Sequence, residues 1–567
     1  MSRPSVLLCS VIGPFGVDDA YGRKENIMEL MHNQVTREQG VFSPRFTNVA
    51  FGLHLLAENI ASPTTVLDFP SEGDFVREVQ SGYDYVGISF IVPNLAKARR
   101  MAELVREHAP ASKIILGGHG TMVPGVETMI EHDHICRGEG VRWLRRLLGE
   151  DPDQPIQHPA LLTSVSRRAM GAPLSSDAAT LMPGVGCPNA CRFCATSHFF
   201  ERSYTPYIET GADMFAVCSR LETELGVKEF FVLDENFLKR PQRARELLDL
   251  MERHEKDWTF CLFSSAETIN DVGLDFLVRL GVTMIWVGVE SEVDIFEKNQ
   301  GVDFKALVLS LRDRGISVLA SGILFLPHHN AETIQQDIQF LVGLAADYVQ
   351  FMQLGPMPGT ALYRDYDERG LIAHEIPFAE WHGQKRIWFR HPEFSGEESE
   401  HLLRAAFQRD YDTNGPSVVR LADTSLRGYL HLRDTTDPFL MRRRDHFESF
   451  ARHMRALLPV ALRHAHNERA SDLVRRVTRA YDEALGPPRL RDRARSVVLA
   501  IYAARESLRV RFGRNVYQPP AVTTRLPERP LGTSRRSLIL ARAGGNVEAV
   551  TQPPHGDEIP GTIGIGL

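Results

Sequence analysis

The sequence has no apolar run long enough to cross a membrane, since a spanning helix needs about 20 apolar residues in succession. Its longest candidate, Ser317–Leu326, has the length of a buried strand. A second candidate, Val6–Ile12, lacks the strongly basic lead of an export signal and runs into Gly13-Pro14, which is typical of a strand that ends in a loop. We therefore expect no membrane span and a cytoplasmic protein.

Positive charge is also scarce, because 65 lysine and arginine residues face 72 aspartate and glutamate residues and leave a formal net charge of -7. Such a balance gives no overall basic field that would attract nucleic acid. Arginine clusters occur late in the chain, as at Arg442–Arg444, with few interleaved aromatic residues. A solvated helix face explains them better than RNA binding, so we expect no nucleic-acid partner.

Cysteine is scarce as well, with seven residues in a chain of 567, and the odd number argues against a disulfide framework. Four of the seven are scattered through apolar runs and are expected to be small, inert core residues: Cys9, Cys136, Cys218 and Cys261. The other three lie close together in one short segment and need a separate explanation.

The sequence does contain two successive series of short β runs that alternate with helical periods. In residues 1–150, the strand candidates are Val6–Ile12, Thr64–Phe69, Tyr85–Phe90, Lys113–Leu116 and His134–Cys136. Strands that alternate with helices predict a parallel sheet covered on both faces, here a flavodoxin-like (Rossmann-like) domain in a chain of the α/β class.

Four further segments follow this first domain. Residues 151–179 are rich in proline, serine and polar groups and predict a linker. Six β/α units in residues 180–396 favour a partial (β/α)6 barrel of the TIM type. Residues 397–515 show helical spacing and predict a helical C-terminal domain, whereas the proline- and glycine-rich residues 516–567 predict a mostly disordered tail.

The three clustered cysteines, Cys187, Cys191 and Cys194, have the spacing C-x3-C-x2-C in a loop that directly follows a strand. Three thiolates on one loop are able to ligate three irons of a [4Fe-4S] cluster and leave the fourth iron open for chemistry. The alternative is a structural zinc site, for which His198 is the only local fourth ligand, at an unusual spacing. The position of the loop at the C-terminal rim of a barrel favours the cluster.

With this motif, residues 180–366 resemble the radical S-adenosylmethionine (SAM) superfamily. The resemblance implies that the three cysteines hold a [4Fe-4S] cluster and that the aromatic residue before the last one, Phe193, lies near the adenine of SAM. It implies further that SAM chelates the open iron and is cleaved on reduction to a 5′-deoxyadenosyl radical. An external electron donor such as flavodoxin or ferredoxin is then required.

Polar residues at the ends of the predicted barrel strands extend the resemblance. Asp234 and Glu235 end the second strand, where family members contact the methionine amino group. Ser264 and Ser265 end the third strand, and Glu290 matches the acid of the family's G-x-E-S element, which contacts the cofactor. Each acid taken alone has a second interpretation as a solvated loop charge, but their repeated placement at strand C-termini favours cofactor binding.

The resemblance continues in residues 355–360, which look like the family's P-x-P-G-T stretch after the sixth strand. One departure is visible after the fifth strand. The family often has glycine two residues before the proline of its G-x-P turn, and this sequence has Phe325 there.

Small residues end two strands of the predicted N-terminal domain, at Ser89 and at Gly117-Gly118. Ligands of open α/β sheets bind outside the carboxyl ends of the strands, and small residues there let the backbone approach a large planar ligand. In its order of elements, the segment from Val6 to Leu148 resembles the cobalamin-binding domain that precedes the radical core in one large subfamily. The match implies that Ser89, Gly117 and Gly118 face the corrin or its nucleotide tail.

Cobalt ligation is expected to differ from that of many cobalamin domains, which carry D-x-H-x-x-G after the first strand. The matching loop, residues 13–22, contains two aspartates and no histidine. This departure implies a lower cobalt position that is open or occupied by water. His32 and His119 are the remaining candidates, and His119 has a second interpretation as a loop histidine packed against the sheet edge.

These resemblances imply a cobalamin-dependent radical SAM enzyme that transfers a methyl group to an unactivated carbon or to phosphorus in a small-molecule substrate. Two alternatives stay open at this point. One is a radical rearrangement or cyclisation in which cobalamin transfers no methyl group. The other is a cobalamin or cluster sensor without turnover.

Overall fold

The computed structural model describes residues 3–14, 31–174, 177–293, 297–512, 518–529, 538–543 and 546–551. Its N-terminal region contains six strands and five helices. The strands are β1 (Val6–Cys9), β2 (Arg45–Asn48), β3 (Thr64–Asp68), β4 (Tyr85–Ser89), β5 (Lys113–Gly117) and β6 (His134–Ile135). The helices are α1 (Phe51–Glu58), α2 (Glu72–Val79), α3 (Leu95–His108), α4 (Val126–Met129) and α5 (Gly140–Leu147).

Five of these strands form a parallel sheet in the order β3-β1-β4-β5-β6. Counted along the chain, this order is 2-1-3-4-5, which is the flavodoxin-like arrangement. The strands are apolar and buried, as in β1, where the exposed fraction is 4% or less at every residue. All five carboxyl ends point to one edge, where Ser89 and Gly117 end β4 and β5.

The segment that the sequence predicts as a linker is partly a β-hairpin of β7 (Ser164–Ala169) and β8 (Ala172–Pro173). Strand β7 also pairs antiparallel with β2, so that Thr47 lies opposite Ser166. The predicted linker therefore contains two strands at residues 164–173. The pairing joins segments more than a hundred residues apart, and no local pattern signals such a partner.

The central region contains a second parallel sheet in the order β16-β15-β14-β13-β12-β9 and a separate small hairpin of β10 and β11. The strands are β9 (Ala179–Leu181), β10 (Gly184–Gly186), β11 (Tyr204–Pro206), β12 (Glu229–Val232), β13 (Thr259–Phe263), β14 (Val282–Glu290), β15 (Ser317–Leu324) and β16 (Tyr348–Gln353). The helices are α6 (Ala195–Phe199), α7 (Gly211–Leu225), α8 (Pro241–Arg253), α9 (Ala266–Val272), α10 (Leu274–Leu280), α11 (Phe304–Asp313), α12 (Thr333–Gly343) and α13 (Ala361–Glu368).

Each of these six parallel strands pairs with its sequence neighbour, and the sheet stays open between β9 and β16, as in a partial barrel. Its carboxyl ends form a single rim because all strands run the same way. Strands β12, β13 and β14 end at Val232, Phe263 and Glu290. This rim is where the candidate site lies.

Beyond the barrel the chain is helical: α14 (Gly396–Asn414), α15 (Ser417–Leu432), α16 (Pro438–Met454), α17 (Leu457–His464), α18 (Glu468–Leu485) and α19 (Leu490–Phe512). Buried arginine fixes this bundle to the barrel. Arg420 donates to Asp410 at 2.7 Å and to the carbonyl oxygen of Ala346 at 2.7 Å. The predicted fold class is thus confirmed, with a flavodoxin-like sheet, a partial barrel and helices after it.

The predicted disordered tail is wrong in part, because its described residues contain β17 (Val522–Leu526), β18 (Leu538–Ala543) and β19 (Asn546–Thr551). Strand β17 pairs antiparallel with β3 and extends the N-terminal sheet. In its sequence Val-Thr-Thr-Arg-Leu, the side chains of Val522, Thr524 and Leu526 are buried and that of Arg525 is exposed. This alternation is typical of a strand, although the surrounding segment is rich in proline. In the described part of the chain, no helix has the length and apolar character needed to span a membrane.

Candidate active site

The cysteine loop joins β10 to α6 at the barrel rim. Cys194 caps the N-terminus of α6, and its sulfur accepts a bond from the Ser197 backbone N–H at 3.5 Å. The Ser197 hydroxyl donates to the Cys187 carbonyl oxygen at 2.7 Å, and the Cys194 N–H donates to the Cys191 carbonyl oxygen at 3.0 Å. These bonds fold the loop so that the three thiol groups lie close enough for a charge on one to affect the others.

Burial raises the pKa of all three thiols, and it raises that of Cys194 to about 12. The positive charge of Lys298 acts in the opposite direction on Cys191. The protein alone therefore keeps the sulfurs protonated, and a bound metal centre would supply the positive charge that stabilises three thiolates. The three thiols therefore fit a metal centre whose binding releases their protons.

The spacing of the sulfurs distinguishes a cluster from zinc. A single zinc ion holds thiolates about 3.8 Å apart, given tetrahedral Zn–S bonds of about 2.3 Å. Within the described ranges, a group of ligand atoms that all lie within 4.8 Å of one another occurs at His328, His329 and Asp337, and the cysteines form no such group. A wider spacing suits a polynuclear iron–sulfur cluster.

The compact group at His328, His329 and Asp337 is explained by hydrogen bonds. The Leu326 N–H donates to His329 Nδ1 at 3.1 Å, so the proton of the neutral ring lies on Nε2. His329 Nε2 then donates to Asp337 at 2.9 Å. With both ring nitrogens engaged, His329 holds the turn after β15.

The adjacent acids predicted after β12 have different surroundings. Asp234 is buried and accepts bonds from Arg243 at 2.7 Å and from the Tyr204 hydroxyl at 2.8 Å. Glu235 lines the large cavity described below. Burial and the negative charge of Asp234 raise its pKa, and a hydrogen bond from Thr196 offsets part of this rise. Asp234 therefore positions the strand end, and Glu235 is the carboxyl that a ligand can reach.

Ser265 is part of a buried polar network at the end of β13. The Asn236 amide donates to the Ser265 hydroxyl at 2.8 Å, and the Ser264 hydroxyl donates to Asn236 Oδ1 at 2.9 Å. Asn236 thereby locks the ends of two neighbouring strands together. Through this network, Ser265 helps to hold the ends of β12 and β13 in place.

Glu290 ends β14 at a shift in strand register and has φ 67, a left-handed conformation that turns its side chain out of the ladder. It forms a buried ion pair with Lys298, and Asn299 fixes the same turn by donating to the Val289 carbonyl oxygen at 2.8 Å. The sequence analysis missed Lys298, because no motif marks a lysine eight residues after the acid.

Two aromatic residues of the family comparison also have defined positions. Phe193 is half-buried and packs against the main hydrophobic core. Phe325, which stands where the family often has glycine, has φ 64 and is fully buried against Phe394. The turn is thus formed without glycine, and packing of the ring compensates for the backbone strain.

A cavity of about 580 Å³, which we call the main cavity, lies between the N-terminal sheet edge and the barrel rim. Ser89, Gly117 and Gly118 line it from the N-terminal side, and Gly186 and Thr196, which flank the cysteine loop, line it from the other. Its size is that of a cofactor or ligand site. The two predicted ligand regions are therefore on opposite walls of one cavity.

The N-terminal wall comes close to a ligand through its backbone. At Gly117, a Cβ atom would point into open space. Gly118 has φ 85, and a Cβ atom there would lie 2.6 Å from the Phe90 carbonyl oxygen, so only glycine fits. These features fit a large planar ligand such as a corrin.

The histidines considered for cobalt lie in different places. His32 shares a hydrogen bond with Ser43 at 2.7 Å and is not part of the cavity wall, whereas His119 lines the main cavity and stacks on Phe199 with ring centroids 4.4 Å apart. Burial lowers the pKa of His119 to about 4. The matching loop falls partly outside the described residues, which include Gly13 and Pro14 but not 15–22.

The scattered cysteines divide into two pairs. Cys9 and Cys218 have no exposed surface and belong to the main core. Cys136 lines the main cavity and Cys261 lines a second cavity in the barrel, and burial raises the pKa of both to about 12.

The model of the Radical SAM superfamily matches residues 181–341. An uncharacterized methyltransferase of Pyrococcus horikoshii is 24% identical over 371 residues, 57% of this chain and 78% of that protein. The bacteriochlorophyllide d C-8(2)-methyltransferase of Chlorobaculum tepidum is 28% identical over 208 residues, 34% of this chain and 45% of that protein. Among solved structures, the radical SAM methyltransferase TsrM of Kitasatospora setae, with cobalamin and a [4Fe-4S] cluster bound, is 16% identical and covers 80% of this chain and 100% of that one, with a TM-score of 0.49.

Proposed function

We propose that this chain, whose residues 181–341 match the model of the Radical SAM superfamily, is a cobalamin-dependent methyltransferase. Its substrate is a small molecule that is methylated at an unactivated carbon or at phosphorus. The curated relatives described above are methyltransferases, which supports methyl transfer over rearrangement.

The observation that carries this proposal is that the main cavity has one wall suited to each cofactor. The cysteine loop borders it on the barrel side, and the carboxyl ends of β4 and β5 border it on the other. Ligands of a flavodoxin-like sheet bind at that edge. A methyl carrier held there is adjacent to a cofactor held at the cluster.

When bound, the cluster and SAM supply the 5′-deoxyadenosyl radical, and cobalamin supplies the methyl carrier. Cys187, Cys191 and Cys194 would hold the cluster, and Phe193 would lie against the adenine. Glu235 offers a carboxyl to the cationic end of SAM, because Asp234, which lines the same cavity, is already paired with Arg243.

The remaining predicted residues orient the cofactors. Glu290 and Lys298 present one charge of each sign beside the cysteine loop, which suits a cofactor that carries both an ammonium and a carboxylate. Ser265 keeps the strand end in place through Asn236. Ser89, Gly117 and Gly118 would let the corrin or its nucleotide tail approach the N-terminal backbone.

Reductive cleavage of SAM consumes an electron, which a donor must deliver to the cluster. We propose an external donor such as flavodoxin or ferredoxin. The apolar lining of the main cavity excludes water and protects radical intermediates from side reactions.

The test is reductive turnover of the reconstituted protein with SAM labelled in its methyl group, in the presence of a cell extract, followed by mass spectrometry. We expect a labelled product together with S-adenosylhomocysteine and 5′-deoxyadenosine. A product without the label would indicate rearrangement, and the absence of 5′-deoxyadenosine with both cofactors bound would indicate a sensor. Either result would contradict the proposal.

A further inference from the structure

The barrel encloses a second cavity of about 270 Å³, which we call the barrel cavity. Four of its lining residues belong to β13, from Thr259 at the first position of the strand to Phe263 at the last. With a rise of about 3.3 Å per residue, the barrel cavity extends roughly 13 Å along this strand. Phe263 also lines the main cavity. The barrel cavity therefore leads from the amino ends of the strands to the place where the cofactors are proposed to meet.

Aromatic rings on neighbouring strands form one wall of the barrel cavity. Phe231, Phe263 and Trp286 all line it. The ring centroid of Phe263 lies 5.8 Å from that of Phe231 and 5.0 Å from that of Trp286. The faces of aromatic rings carry partial negative charge and attract organic cations. Such a wall suits a ligand that combines an apolar body with a positive charge.

Three charged side chains occur in the described lining of the barrel cavity, and they are Arg167, Asp177 and Glu229. Arg167 lies 3.7 Å from Asp177 and places its guanidinium 4.9 Å from the centre of the Phe46 ring. Asp177 also accepts a bond from the Ala178 backbone N–H at 2.8 Å. The charge of Asp177 thus has a partner in the protein, which leaves the carboxyl of Glu229.

Glu229 begins β12 opposite Thr259, and its side chain lies on the same face of the strand as that of Phe231. Among the described residues, it accepts no hydrogen bond and forms no ion pair. Burial raises its pKa, and the positive charge of Arg167 offsets part of this rise. A cation with an N–H donor beside Glu229 would stabilise the ionised carboxylate that burial disfavours.

We propose that the barrel cavity binds the cationic end of the methyl-accepting substrate, an ammonium group that pairs with Glu229 at one end of an apolar body that leads past Phe263 to the main cavity. The inference rests on the proposed function, because the methyl acceptor must reach the cofactors in the main cavity. The cation and the methylated atom are then more than about 10 Å apart, given the length of the cavity along β13. Neutral analogues should bind weakly, since they leave the carboxylate without a partner.

The experiment compares 4-phenylbutylamine with 4-phenylbutan-1-ol, which have the same apolar body and differ in charge at pH 7. Binding to the protein reconstituted with cluster and cobalamin is measured by isothermal titration calorimetry. We expect the amine to bind at least about tenfold tighter than the alcohol, the factor that corresponds to one hydrogen bond between charged groups.

Two variants link this preference to the barrel cavity. Glu229→Gln keeps the size of the side chain and removes its charge, so it should abolish the preference for the amine. Phe231→Leu removes one aromatic face and should reduce the preference. Glu483→Gln, the same substitution at an exposed position of α18, is the control and should retain it.

The labelled product of the turnover assay is an independent readout. After separation from SAM, it should be retained by a strong cation exchanger at pH 3, where carboxylates are protonated and an amine is charged. A labelled product that is not retained, equal binding of the two probes, or a preference that survives in Glu229→Gln would each overturn the inference. A lack of any labelled product would instead contradict the proposed function, while the two probes still report on the barrel cavity.

Discussion

At the barrel rim, charged side chains occur in pairs, as Asp234 does with Arg243 and Glu290 with Lys298. On the N-terminal side the wall of the main cavity is lined by apolar side chains, glycines, Ser89 and His119, with no charged side chain among its described residues. The difference indicates two modes of binding. We propose that the barrel rim binds charge and metal through side chains and that the sheet edge binds by shape through its backbone, so the two walls should respond differently to substitution.

The largest effect is expected for the cysteines of the barrel wall. Cys191→Ala should remove most of the bound iron or make the cluster inert to SAM, because three thiolates are the minimum for this loop. Iron content and the electron paramagnetic resonance signal of the reduced cluster are the measurements. Cys218→Ala, at a buried core position, is the matched control and should keep the cluster. Wild-type iron and SAM cleavage in Cys191→Ala would contradict the assignment.

The next effect concerns the paired charges. Lys298→Met should destabilise the barrel by about 3 kcal/mol, because it leaves the carboxylate of Glu290 buried without its partner. The side chains of Glu290 and Lys298 are only 8% and 18% exposed, so solvent cannot replace the lost partner. Urea denaturation is the measurement. The double variant Lys298→Met with Glu290→Gln should recover most of the loss, and strictly additive effects would show that the pair is not coupled.

The two walls also differ in how far the sequence predicted them. The C-x3-C-x2-C spacing is local, so it placed the barrel ligands together in advance. Lys298 was missed because its contact with Glu290 depends on how the loop after β14 folds. The pairing of β7 with β2 and of β17 with β3 depends on distant partners. The alternation of β and α segments predicted both sheets because it reflects local periodicity.

A buried histidine of the N-terminal domain should make stability depend on pH. His54 in α1 has no hydrogen-bond partner for either ring nitrogen among the described residues, and burial lowers its pKa to about 4 from an unfolded value near 6.5. The folded state thus binds fewer protons than the unfolded state, and stability is lost as the pH falls from about 6.5 towards 4. At pH 5 the loss is about 2 kcal/mol.

His54→Leu should remove this dependence, since leucine fills a similar volume without polar atoms. The measurement is the urea midpoint of wild type and variant between pH 7.5 and pH 5. His453→Gln, at an exposed position, is the control and should follow the wild type. If the curve of His54→Leu ran parallel to that of wild type, burial of this ring would not be the cause.

A side chain added to the N-terminal wall should affect one cofactor only. Gly117→Val places its methyl groups where nothing of the protein lies within 4 Å of the Cβ position, so the fold is expected to tolerate it. Affinity for cobalamin should fall roughly tenfold, a typical penalty for overfilling a packed site. Iron content should stay unchanged. Gly343→Val at the end of α12, with equally open space, is the control. Unchanged cobalamin affinity would contradict backbone recognition at this wall.

The smallest effect is expected at the lower face of cobalt, where substitution of a histidine should leave the ligation of cobalt unchanged. A histidine ligand must be presented by its own loop and by the groups that bond its second nitrogen. His32 is engaged with Ser43 away from the main cavity, and the ring of His119 is stacked on Phe199. We therefore predict cobalamin bound without a histidine below cobalt, the position being open or occupied by water. The electron paramagnetic resonance spectrum of the Co(II) form should show no splitting from a protein nitrogen and should be the same in His32→Ala and His119→Ala. Splitting from one axial nitrogen that disappears in either variant would show that the N-terminal wall, too, binds through a side chain.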